Sequence, residues 1–350
     1  MARTAHPALR ALGRAVAGLS LLALARAAYR RARRLDLTGR VAIVTGGSRG
    51  LGLLIAEELG RRGARVAICG RDQGALDEAE RRLREQGIEV LARRADLGDR
   101  GQAALFVERV SMEWDRLDIL VNNAGVIHVE PAESVTLESI EEAMRSNFWS
   151  AVNTTFAALP LLRAQGRGAR VVNITSIGGR VAVPHLLGYS ASKFALVGFS
   201  EGLAAELARS GVRVTTVIPW LMRTGSFYNA EFAGDARAEL AWFSISSSLP
   251  LLTISARRAA RRVVRALQQS EAIVHLGMPA ALLARVHGVA PGLTVRLLGL
   301  VNRLLPRPAA QPEASRRGRE IPSPLSGSAI RRLGDLAARE NNEAPPPAAR

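Results

Sequence analysis

Residues 41–52, VAIVTGGSRGLG, constrain this chain more than any other stretch. An apolar, β-branched run leads into Thr45, Gly46, Gly47, Ser48, Arg49, Gly50, Leu51 and Gly52, and a helical pattern continues to about residue 62. Three spaced glycines alone say little. Placed directly after a strand and directly before a helix, they mark a nucleotide site. Glycine lets the backbone turn tightly and approach a pyrophosphate, which the helix N-terminus receives with unpaired N–H groups and the positive end of its dipole.

The pattern that follows alternates strand and helix. Strands are expected at 65–70, 89–97, 118–125, 170–176, 213–219 and 272–276, with helices at about 73–86, 101–114, 137–164, 189–209 and 256–268. Short apolar strands between helices read as a parallel sheet covered on both faces. The expected fold is α/β: one doubly wound, Rossmann-type three-layer domain over 38–278. Its segment 222–250 is rich in aromatics (Phe227, Tyr228, Phe232, Trp242, Phe243) and reads as a lid over an apolar pocket or as ordinary connecting helices.

The net charge of +17 is not spread evenly. Residues 1–40 carry +8, residues 251–350 carry +10 and the middle carries −1. Basic flanks mixed with Leu, Ala and Val point to an anionic membrane surface. A nucleic-acid partner is disfavoured, because no basic stripe interleaves with stacking aromatics. The flank 1–37 holds an apolar run at 15–25, too short for a span of roughly 20 residues; it reads as an anchor, an interfacial helix or a disordered extension. The heavier positive side follows that run, which would keep the domain cytoplasmic. Residues 279–306 are leucine-rich, carry Arg285, Arg296 and Arg303, and suit a membrane surface or a dimer cover. Residues 307–350 are rich in Pro, Ser, Ala and Arg and are expected to be disordered. One cysteine, Cys69, excludes an intramolecular disulfide and a thiolate metal site, and no metal is expected.

The second strand ends at Cys69, Gly70 and Arg71. An acidic residue there would bind the 2′-hydroxyl of NAD. Arg71 and Arg49 together suit the 2′-phosphate of NADP instead; the alternative is that Asp72 holds the ribose. Farther on, Tyr189 and Lys193 stand four apart on one helix face. The chain has 48 Lys and Arg residues, and Lys193 is the single lysine among them. A tyrosine is a poor base at neutral pH until a nearby ammonium favours its phenolate. Lysine provides a compact charge of tunable pKa, which arginine does not. Ser176 lies at the C-terminal end of an expected strand, where open α/β sheets bind ligands.

Taken together, these residues resemble the short-chain dehydrogenase/reductase family over about 38–278: the glycine motif, Asp96, Asn122-Asn123-Ala124-Gly125, Asn147, Ser176 and Tyr189/Lys193 occur in family order. The resemblance implies that Tyr189 is the general acid/base, that Ser176 orients the substrate oxygen and that Asn147 holds a water of the proton relay. It implies that Lys193 binds the nicotinamide ribose and lowers the tyrosine pKa. Asp96 and Leu97 would meet the adenine end, and Asn123, Ala124 and Gly125 the cofactor beside the central strand. Pro219 and Thr224 would flank the nicotinamide. Trp220 departs from the family's Pro-Gly and puts bulk there; Ser150 replaces a common glycine. The resemblance further implies interconversion of an alcohol and a carbonyl with NADP(H), and a homodimer or homotetramer built on the helices at 137–164 and 189–209. The apolar lid and flanks favour a lipophilic substrate. The rival reading is a non-catalytic NADP-binding redox sensor or scaffold at a membrane surface.

Overall fold

The computed structural model describes Gly18 and residues 34–249, 253–309, 313–322 and 328–344. The apolar run expected at 15–25 otherwise lies outside them. In chain order the domain runs β1 (Val41–Thr45), α1 (Gly50–Gly60), β2 (Arg65–Gly70), α2 (Gln73–Glu85), β3 (Val90–Arg94), α3 (Arg100–Trp114) and β4 (Ile119–Asn122). It continues with α4 (Leu137–Met144), α5 (Ser150–Gln165), β5 (Arg170–Ile174), α6 (Leu187–Glu206) and β6 (Arg213–Pro219). The last part is α7 (Ala236–Ser248), α8 (Ala256–Gln268), β7 (Ile273–Leu276), α9 (Met278–Val289), α10 (Pro291–Asn302) and α11 (Ala329–Glu340).

The seven strands β1–β7 form one parallel sheet in the order β7-β6-β5-β4-β1-β2-β3. The chain reverses its direction of travel between β1 and β4, and the crevice beyond the C-terminal ends of those strands is where such sheets take ligands. All five residues of β1 are buried, and so are those of β5, because helices cover both faces. The aliphatic pattern therefore had to read as continuous runs and not as an alternation.

Two polar networks fix the sheet at opposite ends. At the N-terminal end, buried Asp118 accepts from Arg40 (2.7 Å), Arg116 (2.7 Å) and the backbone N–H of Val41 (2.9 Å). At the other end, the Asn122 amide donates to Asn173 and Thr155, both at 2.8 Å, and Asn173 donates to Ser200 (2.9 Å). Ser200 in turn shares a 2.6 Å hydrogen bond with Thr216. These bonds tie β4, β5 and β6 to α5 and α6 where the site opens, so the strand ends cannot splay.

The helix expected at 137–164 is broken. A π-turn, Arg145–Trp149, separates α4 from α5. Such turns recur at functional positions because the extra residue re-aims a side chain, and here the turn carries Asn147.

The segment 222–250 divides its aromatics. Phe227, Phe232 and Phe243 are buried in a satellite core with Leu240 and Ile321, while Trp242 is partly exposed to the cavity described below.

The expected disorder of 307–350 is corrected where the structure describes it. Glu313–Arg317 adds an antiparallel strand to Glu231–Gly234, which pairs in parallel with His128–Val129. Helix α11 then packs against the 225–228 turn: Ala338 sits on Gly225, and the Arg331 guanidinium lies 4.7 Å and 4.9 Å from the rings of Phe227 and Tyr228. Composition misled because a few small residues suffice for close packing when the receiving surface already exists.

Helices α9 and α10 lean on Ile177, Val181, Ile218 and Trp220 through Ala280, Leu283, Ala284 and Leu298. Their outer face leaves Met278, Leu282, Val289, Leu293, Val295, Leu300 and Leu304 exposed. Among the described residues, no helix is long and apolar enough to cross a membrane.

Candidate active site

A cavity of about 550 Å³ opens at the C-terminal ends of the strands. Its walls include Gly46, Ser48, Arg49, Gly50, Leu51, Arg71, Asp96, Leu97, Asn123, Ala124 and Gly125 from the expected cofactor residues. Asn147, Ser176, Tyr189, Lys193, Pro219 and Thr224 complete them. Residues from eight separate stretches thus meet in one space. Thr45 and Gly52 stand just behind the wall.

The glycine turn is built as its sequence requires. Gly46 and Gly50 adopt φ of 61° and 59°, a region that side chains disfavour. A Cβ on Gly52 would overlap the Gly46 carbonyl oxygen. The Thr45 hydroxyl accepts from the N–H groups of Asn123 (2.9 Å) and Ala124 (3.0 Å), and the Asn123 amide donates to the carbonyls of Thr45 (3.1 Å) and Gly46 (3.2 Å). Thr45 and Asn123 thereby stitch the turn after β1 to the turn after β4. The resulting shape, a bare backbone curve facing a helix N-terminus, fits a dinucleotide pyrophosphate.

At the end of β2, the Arg49 guanidinium bonds Asp72 (3.0 Å) and Asn229 (2.5 Å). Asp72 also accepts from the N–H of Ala75 as the N-cap of α2, which with Arg49 holds its carboxyl below the usual range. Arg71 reaches Glu142 across the surface at 3.4 Å. Asp96 accepts from Gly98 (3.1 Å) and from Arg145 (2.7 Å). Burial would raise its carboxyl, but these donors outweigh that and keep it low.

At the other end of the cavity, the Tyr189 ring and the Ser176 oxygen both face Gly178, 3.3 Å and 3.4 Å from where a Cβ there would stand. The Ser176 oxygen also accepts from the N–H of Gly178 at 3.0 Å, which fixes the serine rotamer. Lys193 is buried, lies 5.7 Å from the Tyr189 ring centre and donates to the Ile174 carbonyl at 3.3 Å. Burial pulls the Lys193 ammonium down to about 8. Burial pushes the Tyr189 phenol above its ordinary value, and the nearby Ser176 hydroxyl offsets only part of this. Burial sets the direction of this shift, and Tyr189 packs against the satellite core that holds Phe227, Phe232 and Phe243.

Asn147 is held on both sides. Its oxygen accepts from the N–H of Val126 (2.9 Å), and its amide donates to the Val126 carbonyl (3.0 Å) and to Ser192 (3.1 Å). Its oxygen also leaves no room for a Cβ on Gly125.

Beyond the lid aromatics Trp242 and Phe243, sequence reasoning missed several lining residues. Asn229, Arg317 and Glu343 border the cofactor end, and Leu283, Leu298, Trp242 and Phe243 border the far end. Trp242 donates to Glu239 (2.6 Å), a buried carboxylate paired with His185 at 2.9 Å. The His185–Glu239 pair joins residues 54 positions apart, and no local pattern encodes it. Among the described residues, no cluster of three His, Cys, Asp or Glu could hold a metal ion.

The sheet order, the glycine turn and the Ser-Tyr-Lys grouping define a nucleotide-binding oxidoreductase of the Rossmann type. A family model described as short chain dehydrogenase matches residues 40–231, and the chain belongs to that short-chain dehydrogenase/reductase family. It is 38% identical over 193 residues to a tropinone reductase homolog of Datura stramonium, a match covering 55% of this chain and 72% of that one. It is 34% identical over 262 residues to a putative ketoacyl reductase of Streptomyces coelicolor, covering 72% and 96%. Among solved structures, gox2181 superposes with a TM-score of 0.62 at 25% identity, covering 70% of this chain and 96% of that one. A putative gluconate dehydrogenase from Agrobacterium tumefaciens shares the fold, with a TM-score of 0.61 at 24% identity over 69% and 95%. Members of this family are oxidoreductases that interconvert carbonyls and alcohols with a nicotinamide cofactor.

Proposed function

We propose that this protein is an NADP(H)-dependent carbonyl reductase or alcohol dehydrogenase acting on lipophilic substrates. The observation that carries this reading is the grouping of Ser176, Tyr189 and buried Lys193 on the wall of the same cavity as the glycine turn. NADP supplies or accepts the hydride when bound. Its pyrophosphate would lie along Gly46, Ser48, Gly50 and Leu51, its adenine end near Asp96 and Leu97, and its nicotinamide end near Pro219, Thr224 and Lys193. Arg49 and Arg71 support the choice of NADP. Both are at the end of β2, and Asp72 is engaged as a helix cap and by Arg49, so its oxygens are not free for a ribose.

The chemistry of the chain's own residues follows from the site. A tyrosine held above its ordinary pKa keeps its proton at neutral pH and can donate it to a carbonyl oxygen that Ser176 orients. Lys193, brought down to about 8, keeps most of its charge at pH 7 and so eases formation of the phenolate when Tyr189 gives up its proton.

The far wall is apolar, with Leu186, Trp220, Trp242, Phe243, Leu283 and Leu298, and this supports a lipophilic substrate. Leu283 and Leu298 belong to α9 and α10, whose opposite faces expose leucines and which carry Arg285, Arg296 and Arg303 without an acid. That combination supports docking on an anionic lipid surface at the mouth of the pocket. The exposed aromatics Trp149 and Phe156 near the start and middle of α5 support a homodimer built on α5 and α6.

The test is oxidation of NADPH and NADH by wild type and Tyr189→Phe against short and long-chain ketones. Turnover with NADPH that rises with chain length and collapses in the variant is expected. Tight NADPH binding without turnover on any carbonyl or alcohol would refute the enzymatic reading.

A further inference from the structure

The cradle assigned above to the pyrophosphate is filled by the chain itself. Asn341 and Glu343, both buried, follow helix α11 and lie on the glycine turn. The N–H of Gly50, the first residue of α1, donates to the Asn341 carbonyl at 2.7 Å. A Glu343 carboxyl oxygen occupies the space in front of Gly50 that the missing side chain leaves. Asn342 donates to the carbonyls of Ser48 (2.8 Å) and Ala75 (2.9 Å), from a left-handed backbone with φ of 58°. Asn229 donates to the Glu343 carboxylate (2.6 Å) and to its carbonyl (2.9 Å), and Arg49 bonds the same Asn229. The Asn341 amide reaches the Thr224 carbonyl at 3.1 Å.

We propose that Asn341, Asn342 and Glu343 form a built-in competitor for the dinucleotide, seated on the pyrophosphate cradle and displaced when the cofactor binds. The proposal rests on the cofactor placement given above. A carbonyl and a carboxyl at a helix N-terminus satisfy the same N–H groups that a phosphate would take. Gly50 has one N–H and one open face, so the segment and a phosphate cannot use them together. A carboxylate in contact with a pyrophosphate would also bring like charges together. The seat is not a tight trap for an anion: burial pushes the Glu343 carboxyl up to about 7, against the pull of Arg49 and Asn229. The other charged groups bordering this end of the cavity include Arg71, Asp72, Asp96 and Arg317. A dinucleotide brings the charge that Arg49 and the helix N-terminus favour. The apparent affinity for cofactor is then the intrinsic one reduced by the fraction of molecules with the seat occupied.

The test uses the full chain. Hydrogen exchange is followed across residues 331–343 with and without saturating NADP⁺, and again with NAD⁺. In parallel, calorimetric binding of both dinucleotides is measured for wild type, Asn342→Ala and Glu343→Ala. Asn342→Ala removes two side-chain hydrogen bonds and disfavours the left-handed backbone, so binding about tenfold tighter is expected. Exchange across 331–343 is expected to accelerate when the dinucleotide binds. Binding with exchange unchanged or slowed would overturn the proposal and leave the cofactor reading standing. Absence of binding by wild type and both folded variants would overturn the cofactor reading and the proposal with it. Because the exchange measurement needs only wild type, a variant that fails to fold does not rescue the idea.

Discussion

Replacing Lys193 by methionine should stabilise the protein while abolishing turnover. The ammonium is buried, and its pKa falls from 10.5 to about 8 because burial disfavours the charged form. Each pKa unit is worth about 1.36 kcal/mol, so at pH 7 the folded state carries a penalty of roughly 3 kcal/mol for this one charge. Methionine has a similar length and no charge to desolvate. Its substitution also gives up the 3.3 Å hydrogen bond to the Ile174 carbonyl, a loss of about 1 kcal/mol. A net gain of about 2 kcal/mol follows, or some 4–8 °C in Tm for a domain of this size. The sign with pH is fixed. The folded pKa is depressed, so the penalty is fully present below about pH 8 and disappears as pH rises toward 10.5. Thermal melts of both proteins at pH 7 and pH 10 would check this, with turnover measured beside them. A variant that melts below wild type at pH 7, or an advantage that persists unchanged at pH 10, would refute the reasoning. Such a gain in stability from removing an active-site group is the usual stability–activity trade-off.

Other outcomes follow from the same contacts. Arg49→Ala combined with Arg71→Ala should weaken NADP⁺ binding by about 10- to 100-fold and leave NAD⁺ within a few-fold, since the charge-assisted bonds to the 2′-phosphate are lost; equal losses for both would contradict the assigned preference. Gly52→Ala should destabilise the protein by about 2 kcal/mol or more and abolish dinucleotide binding, because its Cβ would overlap the Gly46 carbonyl oxygen; urea melts and a binding titration measure both. Buried Cys69, whose thiol burial pushes up to about 12, should resist maleimide at pH 8 until the protein is denatured. Phe156→Glu should shift the sedimentation coefficient toward that of a monomer if α5 builds a dimer; an unchanged value would refute a dimer on that face.

Much of the fold was legible because its determinants are local. The strands of the central sheet are aliphatic runs bounded by glycines and polar turns, and the expected β6 at 213–219 and α8 at 256–268 coincide with Arg213–Pro219 and Ala256–Gln268. The one unbroken helix expected at 137–164 did not hold, because the π-turn at Arg145–Trp149 depends on how Asn147 is gripped by Val126 and Ser192. No helical periodicity reports that grip. The tail failed for a related reason. Its composition suggested disorder, yet Arg331 finds the rings of Phe227 and Tyr228, and Ala338 finds the space above Gly225.

The sequence by itself determined the order of strands and helices, the glycine turn and the residues Ser176, Tyr189 and Lys193. These depend on short-range backbone preference, apolar patterning and spacing along one helix. Tertiary structure alone decided the protonation tendencies of that group, since burial pushes the Tyr189 phenol up and the Lys193 ammonium down. It also decided that Leu283 and Leu298 wall the far end of the cavity and that Glu343 sits on Gly50. Desolvation and contacts between residues nearly 300 positions apart exist only after the chain has closed on itself.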